Sequence, residues 1–135
     1  MRIMVDTNII ISAALFPGGR VSLMLKEIMQ HYELVICTFS LEELFIVVER
    51  KFKHKKDEVD HFFRQLSYSL IYTPTSFEKK ELPAIRDEKD YPILLSAIDG
   101  DVDVLISGDK DFACVECKRP EIMSPNEFTQ KYLFM

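Results

Sequence analysis

The chain has 135 residues, of which 47% are hydrophobic, and its formal net charge is −5. This length suits one domain over residues 1–135, and the acidic balance argues against a nucleic-acid binder that is basic over its whole surface. No apolar run is as long as a bilayer-spanning helix, and three cysteines are an odd number for a disulfide framework, so we expect a cytoplasmic protein without a membrane partner.

The first third of the chain alternates strand-like and helix-like segments. Residues 2–5 (RIMV) form an apolar run that predicts a strand, and Asp6 follows it directly. NIIISAAL and VSLMLKEIMQ then carry apolar residues at helical spacing, with a break at Pro17 between them. Residues 33–37 (ELVIC) predict a second strand.

The middle of the chain predicts two amphipathic helices. The first would begin at Ser40, end near Phe52 and bury one face, made of Leu41, Leu44, Phe45, Val48 and Phe52. Residues 57–70 predict the second helix, with an apolar face made of Val59, Phe62, Phe63, Leu66 and Leu70. Residues 70–73 (LIYT) are a candidate strand, and residues 76–82 a candidate short helix.

The remaining segments complete an alternating pattern. Pro92 suits the start of a helix, and the nearly all-apolar ILLSAI after it is typical of a helix packed in the interior. Residues 102–107 (VDVLIS) predict another strand, and Ser124 with Pro125 suits the start of a last helix, NEFTQKYLF. Alternating strands and helices predict a three-layer α/β/α sandwich around a central, mostly parallel, twisted sheet of four to five strands.

Acidic residues stand where this topology brings chain segments to one edge of the sheet. Asp6 follows the first strand, and Asp109 follows the strand at 102–107 by one glycine. Asp90 precedes the helix at Pro92, and Glu43 lies in the first turn of the helix predicted from Ser40. Because parallel sheets bind ligands outside the carboxyl ends of their strands, we expect these acids to face one site.

Clustered carboxylates repel one another, and a divalent cation supplies the missing positive charge. Oxygen ligands without histidine suit Mg²⁺ or Mn²⁺. Such a cation can bind a phosphate oxygen, activate a water and stabilise a leaving oxygen, so phosphodiester hydrolysis fits the acids best. The sequence leaves open whether one or two metals bind.

Four segments in this order resemble the motifs of the PIN domain: VDTNIIISAA, SLEELFIVVERKF, DEKDYPILLSAI and VDVLISGDKDF. The resemblance is strongest to the branch of toxins from toxin–antitoxin pairs, similar to VapC. It implies a metal-dependent endoribonuclease that cleaves single-stranded RNA, forms homodimers and pairs with a cognate antitoxin protein.

Carried over residue by residue, the resemblance names a set of site residues. The catalytic acids would be Asp6, Glu43, Asp90 and Asp109. The metal ligands would be Asp6, Asp90, Asp109 and Asp111, and the supporting polar residues would be Thr7, Asn8 and Ser107.

The chain departs from the family pattern in two places. Asp87-Glu88-Lys89-Asp90 stands where relatives often have Asp-Pro-Asp-Asp, so Asp87 is a second candidate for the third acid. Ser107 stands at the position of the usual threonine and keeps the hydroxyl.

Each acid also has a purely structural interpretation. Ser40 and Glu43 fit a capping box, and only the resemblance selects Glu43 over Glu42. The other acids are also common at helix starts and turns: Asp6 as an N-cap, Asp90 beside a helix dipole, and Asp109 with Asp111 in a turn. Their joint placement at one sheet edge favours the metal site.

A basic run closes the helix predicted from Ser40. Its cations are candidate RNA-binding residues that would bond phosphates: Arg50, Lys51, Lys53, Lys55 and Lys56. The alternative interpretation is a solvated helix end. Cys114 and Cys117 form a lone CxxC pair, which we interpret as two reduced thiols.

Two other functions use a similar architecture. Another Mg-dependent phosphoryl hydrolase is possible, but the haloacid dehalogenase pattern needs a second aspartate where Asn8 stands. A non-catalytic PIN-like module that binds a protein is the other alternative. Metal-dependent turnover would separate it from a nuclease.

Overall fold

The computed structural model describes residues 1–75, 91–109, 112 and 119–133. In these residues five strands form one sheet, in which every neighbouring pair is parallel. The strands are β1 (Arg2–Val5), β2 (Glu33–Cys37), β3 (Ser69–Ile71), β4 (Val104–Ile106) and β5 (Glu121–Met123). Their order across the sheet is β3-β2-β1-β4-β5. The predicted α/β/α fold with a parallel sheet is confirmed.

Six α-helices are described: α1 (Thr7–Leu15), α2 (Arg20–His31), α3 (Thr38–Lys51), α4 (Lys56–Arg64), α5 (Tyr91–Asp99) and α6 (Pro125–Phe128). A 3₁₀ turn (Lys53–Lys55) joins α3 to α4, and a π-helical turn (Thr129–Leu133) follows α6. Among the described residues no single helix is both long and apolar enough to span a membrane. Helices α1 and α2 reach that length and composition only as a pair, bent by 112° at their junction.

Both faces of the sheet are covered, which explains why its strands are apolar apart from the first residue of β1, β2, β3 and β5. Successive side chains of a strand point to opposite faces. Ile3 and Val5 of β1 therefore pack in a core with helices α1 to α4 and α6. Met4 packs on the other face with Leu94 and Ala97 of α5. The sheet is thus the middle of three layers.

Periodicity predicted two helices with wrong bounds. Helix α3 begins at Thr38 instead of Ser40, and Phe45 is 58% exposed, so its predicted place in the buried face is wrong. The fully buried stripe of α3 is narrower and consists of Ser40, Leu44 and Val48. Helix α4 ends at Arg64, and Leu70 lies in β3, paired with Ile36 of β2. Backbone pairing with β2 outweighs the helical spacing there.

The chain ends largely as its cap residues predict. Ser124 caps α6 by accepting from the Glu127 N–H, and the Glu127 carboxylate accepts from the Ser124 N–H. Strand β5, which immediately precedes this cap, was not predicted from the sequence. The candidate helix at 76–82 lies outside the described residues.

Candidate functional site

The candidate site lies where the sheet changes its direction of winding. Strands β1 and β4 are neighbours, but the chain leaves β1 for β2 on the opposite side, which opens a crevice at their carboxyl ends. The Asp6 N–H donates to the Ile106 carbonyl across 3.2 Å and holds these two ends together. Asp6 and the segment from Ser107 to Asp109 therefore meet at one point, as the sequence predicted.

Asp6 is held on both carboxylate oxygens. It is the N-cap of α1, and its Oδ1 accepts from the Ile9 N–H at 3.1 Å. Its Oδ2 accepts from the Ser107 hydroxyl. Only 4% of Asp6 is exposed. The N-cap interpretation of Asp6 is therefore right, and the cap leaves the carboxylate fixed in the crevice.

Ser107 connects the ends of three strands. Its hydroxyl donates to the Asp6 carboxylate and accepts from the Asp109 N–H at 3.0 Å, so one side chain joins Asp6 to the backbone of Asp109. Its own N–H donates to the Met123 carbonyl of β5 at 3.0 Å. The Phe112 N–H donates to the Asp109 carbonyl at 3.2 Å.

The electrostatics of Asp6 are those of a crowded anionic site. Burial is the largest cause that raises the pKa of Asp6, and the carboxylates of Asp109 and Glu43 raise it further. The hydrogen bonds from Ser107 and Ile9 oppose this rise without cancelling it. Within the described residues no lysine, arginine or histidine forms an ion pair with Asp6. The described carboxylates that act on Asp6 therefore all disfavour its charged form.

The structure distinguishes Glu43 from its neighbour. Because α3 begins at Thr38 and has Cys37 as its N-cap, the capping box of Ser40 with Glu43 is wrong. Ser40 is buried and accepts from the Cys37 thiol at 3.4 Å. Glu43 is partly buried and its charge acts on Asp6, whereas Glu42 is exposed. The structure therefore favours Glu43 over Glu42 as the candidate acid of α3.

The two other residues of the Asp-Thr-Asn motif differ in their environment. Thr7 is 1% exposed, and its hydroxyl has no hydrogen-bond partner among the described residues. Asn8 is exposed. A buried hydroxyl without a partner costs free energy, and here it stands beside a buried carboxylate.

These donors fit a hard divalent cation. The group offers carboxylate and hydroxyl oxygens, which are the ligands of Mg²⁺ and Mn²⁺. Within the described residues no three acidic, cysteine or histidine side chains are arranged to hold a metal ion. Several predicted residues lie outside the described part of the chain, namely Asp87, Asp90, Asp111, Cys114 and Cys117.

The basic run is on the surface, spread over three short segments. Arg50 and Lys51 end α3, Lys53 and Lys55 lie in the 3₁₀ turn, and Lys56 begins α4. All five side chains are exposed. Glu49 lies 3.6 Å from Lys53 and 3.9 Å from Lys56, so part of the positive charge is already paired.

A polar cluster that was not predicted secures the same edge of the sheet. The Thr73 hydroxyl accepts from the Phe39 N–H at 3.1 Å, and the Thr73 N–H donates to the Thr38 hydroxyl at 2.9 Å. The Ser96 and Thr73 hydroxyl oxygens are 2.8 Å apart. These contacts tie α3 and α5 to the end of β3. No local sequence signal indicates them, because the partners are 23 to 35 residues apart.

Comparisons with known proteins agree with this geometry. A family model described as PIN domain matches residues 2–111. A sequence comparison with curated proteins finds no match. Among solved structures, the chain is similar to one in the crystal structure of VapBC2 from Rickettsia felis bound to a DNA fragment from their promoter. The TM-score is 0.65 at 20% sequence identity, over 91% of this chain and 97% of that one. That likeness shows the fold.

Proposed function

This chain belongs to the PIN domain family, and from that premise we propose that it is a metal-dependent endoribonuclease that hydrolyses phosphodiester bonds of single-stranded RNA. PIN domains are generally nucleases that use a divalent metal. The observation that carries the proposal is the buried Asp6 carboxylate, which two donors hold and two further carboxylates crowd. A carboxylate whose pKa is raised by burial, at the edge of a parallel sheet where ligands bind, is typical of a functional site.

The metal would be held by Asp6 and Asp109, together with Asp90 and Asp111. When bound, Mg²⁺ or Mn²⁺ would polarise a phosphate oxygen and acidify a water. Ser107 orients Asp6 and Asp109, and Glu43 would orient the attacking water or help bind the metal. Attack of the water on phosphorus would break the bond between phosphorus and the 3′ oxygen. The water gives up a proton and the 3′ oxygen takes one, so one fragment ends in a 3′ hydroxyl and the other begins with a 5′ phosphate.

We further propose that the chain is the toxin of a toxin–antitoxin pair. One solved structure with a matching fold is that of VapBC2 from Rickettsia felis, bound to a DNA fragment from their promoter. By that analogy a cognate antitoxin protein would bind this chain, and the chain would form a homodimer in the cytoplasm. The exposed cations at the end of α3 would contact the RNA backbone.

The test of this function is cleavage of a mixed pool of single-stranded RNA by purified protein. We expect cleavage with Mn²⁺ or Mg²⁺ and none with EDTA, because the acids alone repel a phosphate. The products should carry 5′ phosphates, which a 5′-phosphate-dependent exonuclease detects. Folded protein, purified free of bound inhibitor, that cleaves no RNA with either metal would favour the non-catalytic binding module instead.

Ser107 provides a graded test of how the acids are positioned. Ser107→Ala removes the donor to Asp6 and the acceptor of the Asp109 N–H, and loss of such supporting bonds typically costs about 10–100-fold in metal affinity or activity. Ser107→Thr keeps the hydroxyl and should retain most of the activity. Cleavage rates at several Mn²⁺ concentrations measure both effects. Equal rates for the two variants would show that the hydroxyl does not position the acids.

A further inference from the structure

We propose that the cavity between α2 and α6 binds one nucleotide of the RNA, next to the phosphodiester bond that is cleaved. This inference rests on the proposed function and adds a subsite to it. The cavity measures about 390 Å³, which is within the range of small-ligand sites. It is lined by Arg20, Val21, Met24, Pro125, Asn126, Thr129 and Gln130.

The register of the sheet places this cavity beside the acids. Val5 of β1 pairs with Ile106 of β4, which in turn pairs with Met123 of β5. The next residue of each strand, Asp6, Ser107 and Ser124, therefore stands at the same edge of the sheet. Pro125 and Asn126 follow Ser124 directly and line the cavity. Two strand spacings, about 10 Å, separate β1 from β5, so RNA at the acids can reach the cavity with an adjacent nucleotide.

The chemistry of the lining suits a nucleotide. Val21, Met24 and Pro125 provide an apolar wall for the face of a base. The amides of Asn126 and Gln130 each offer donors and an acceptor, which is what recognition of a base edge requires. The Arg20 guanidinium can bond a phosphate through two parallel hydrogen bonds.

The charge of the residues that line the cavity also favours a nucleotide. None of the seven lining residues is acidic, although the chain as a whole carries a net charge of −5. Arg20 is exposed and forms no ion pair with any residue that the structure describes. By contrast, Lys53 and Lys56 of the basic run lie beside Glu49. The positive charge of Arg20 is therefore available to a phosphate, whereas these two lysines share theirs with Glu49.

Salt-dependent RNA binding tests the subsite without catalysis. Arg20→Gln is made in the Asp6→Asn background, and binding of a labelled single-stranded RNA is measured in EDTA over a range of salt. We expect affinity to fall about fivefold to tenfold at low salt, and the slope of log affinity against log salt to decrease by about 0.7, the value for one lost phosphate contact. Lys26→Gln is the matched control, since Lys26 is exposed on the same helix and does not line the cavity. It should change the slope less.

A second variant tests base recognition. Asn126→Ala with Gln130→Ala in the active protein should change which bases flank the cut, as read by sequencing the cleavage products. Its unfolding midpoint should match that of wild type, since both side chains are exposed. A cut pattern identical to that of wild type, together with equal slopes for Arg20→Gln and Lys26→Gln, would overturn the subsite.

The outcomes separate the subsite from the nuclease function. Protein that binds RNA through Arg20 but never cleaves it would keep the subsite and refute the nuclease. If the protein cleaves RNA but the variants leave RNA binding and the cut pattern unchanged, the nuclease function stands and the subsite is refuted. If Arg20→Gln weakened self-association in sedimentation and left RNA binding unchanged, the cavity would be a protein interface and our inference would be wrong.

Discussion

Asp6→Asn is expected to abolish RNA cleavage and to leave the fold intact. A divalent cation bound at the acids, as proposed, would supply several kcal/mol of charge stabilisation in the transition state, and each 1.4 kcal/mol is about tenfold in rate. Asp6 is a proposed oxygen ligand of this cation, and both of its carboxylate oxygens accept hydrogen bonds that hold them in place. We therefore expect cleavage to fall by at least about 10²–10³-fold.

The fold should be retained because asparagine can replace Asp6 as the N-cap of α1. Its carbonyl oxygen can accept from the Ile9 N–H, and asparagine is as good an N-cap as aspartate. The substitution also removes a buried charge whose pKa is raised mainly by burial. In EDTA the variant should therefore be at least as stable as wild type.

Two measurements separate the chemical effect from the structural one. Cleavage rates with Mn²⁺ report activity, and urea unfolding in EDTA reports stability. Asp99→Asn is the control, since Asp99 is an exposed aspartate at the end of α5, and it should match wild type in both. An Asp6→Asn protein that cleaves at the wild-type rate would refute the metal site, and one that is unfolded would show that the carboxylate is needed for folding.

The elements that could be predicted are those whose signal is local. Strands β1 and β2 have the predicted bounds, because a strand covered on both faces reads as a continuous apolar run. The start of α3 was mispredicted because its first turn is not capped locally. The Phe39 N–H is satisfied by Thr73, which is 34 residues away, so Ser40 is not needed as a cap. Nothing near Ser40 in the sequence indicates this.

One part of the candidate site could likewise be predicted from the sequence and another part could not. That Asp6 and Asp109 meet follows from parallel topology alone, since each stands just beyond a strand. That Ser107 bridges them depends on the register of β1 with β4, which periodicity does not determine. The cavity lined by Arg20 and Asn126 was missed for a related reason. It requires the pairing of β4 with the short strand β5, which brings residues far apart in sequence together.

Among the substitutions considered, Phe128→Ala is expected to lower the free energy of unfolding most. Phe128 is fully buried, and its ring centroid lies 6.4 Å from that of Tyr32 and 5.2 Å from that of Tyr132. Truncation of a buried phenylalanine costs about 3–5 kcal/mol, through lost burial and the cavity left behind. Urea unfolding measures the free energy, and Phe16→Ala is the matched control, because Phe16 is 67% exposed and should change it by less than about 0.5 kcal/mol.

This comparison also tests where the domain ends. The family match stops at residue 111, whereas α6 packs its Phe128 into the core that contains Ile3 and Val5 of β1. If α6 belongs to one domain over residues 1–135, Phe128→Ala must weaken the whole protein in a single unfolding transition. Equal stability of the Phe128→Ala and Phe16→Ala proteins would mean that α6 is not packed in this core. The cavity that α6 forms with α2 would then be lost as well, and with it the proposed nucleotide subsite.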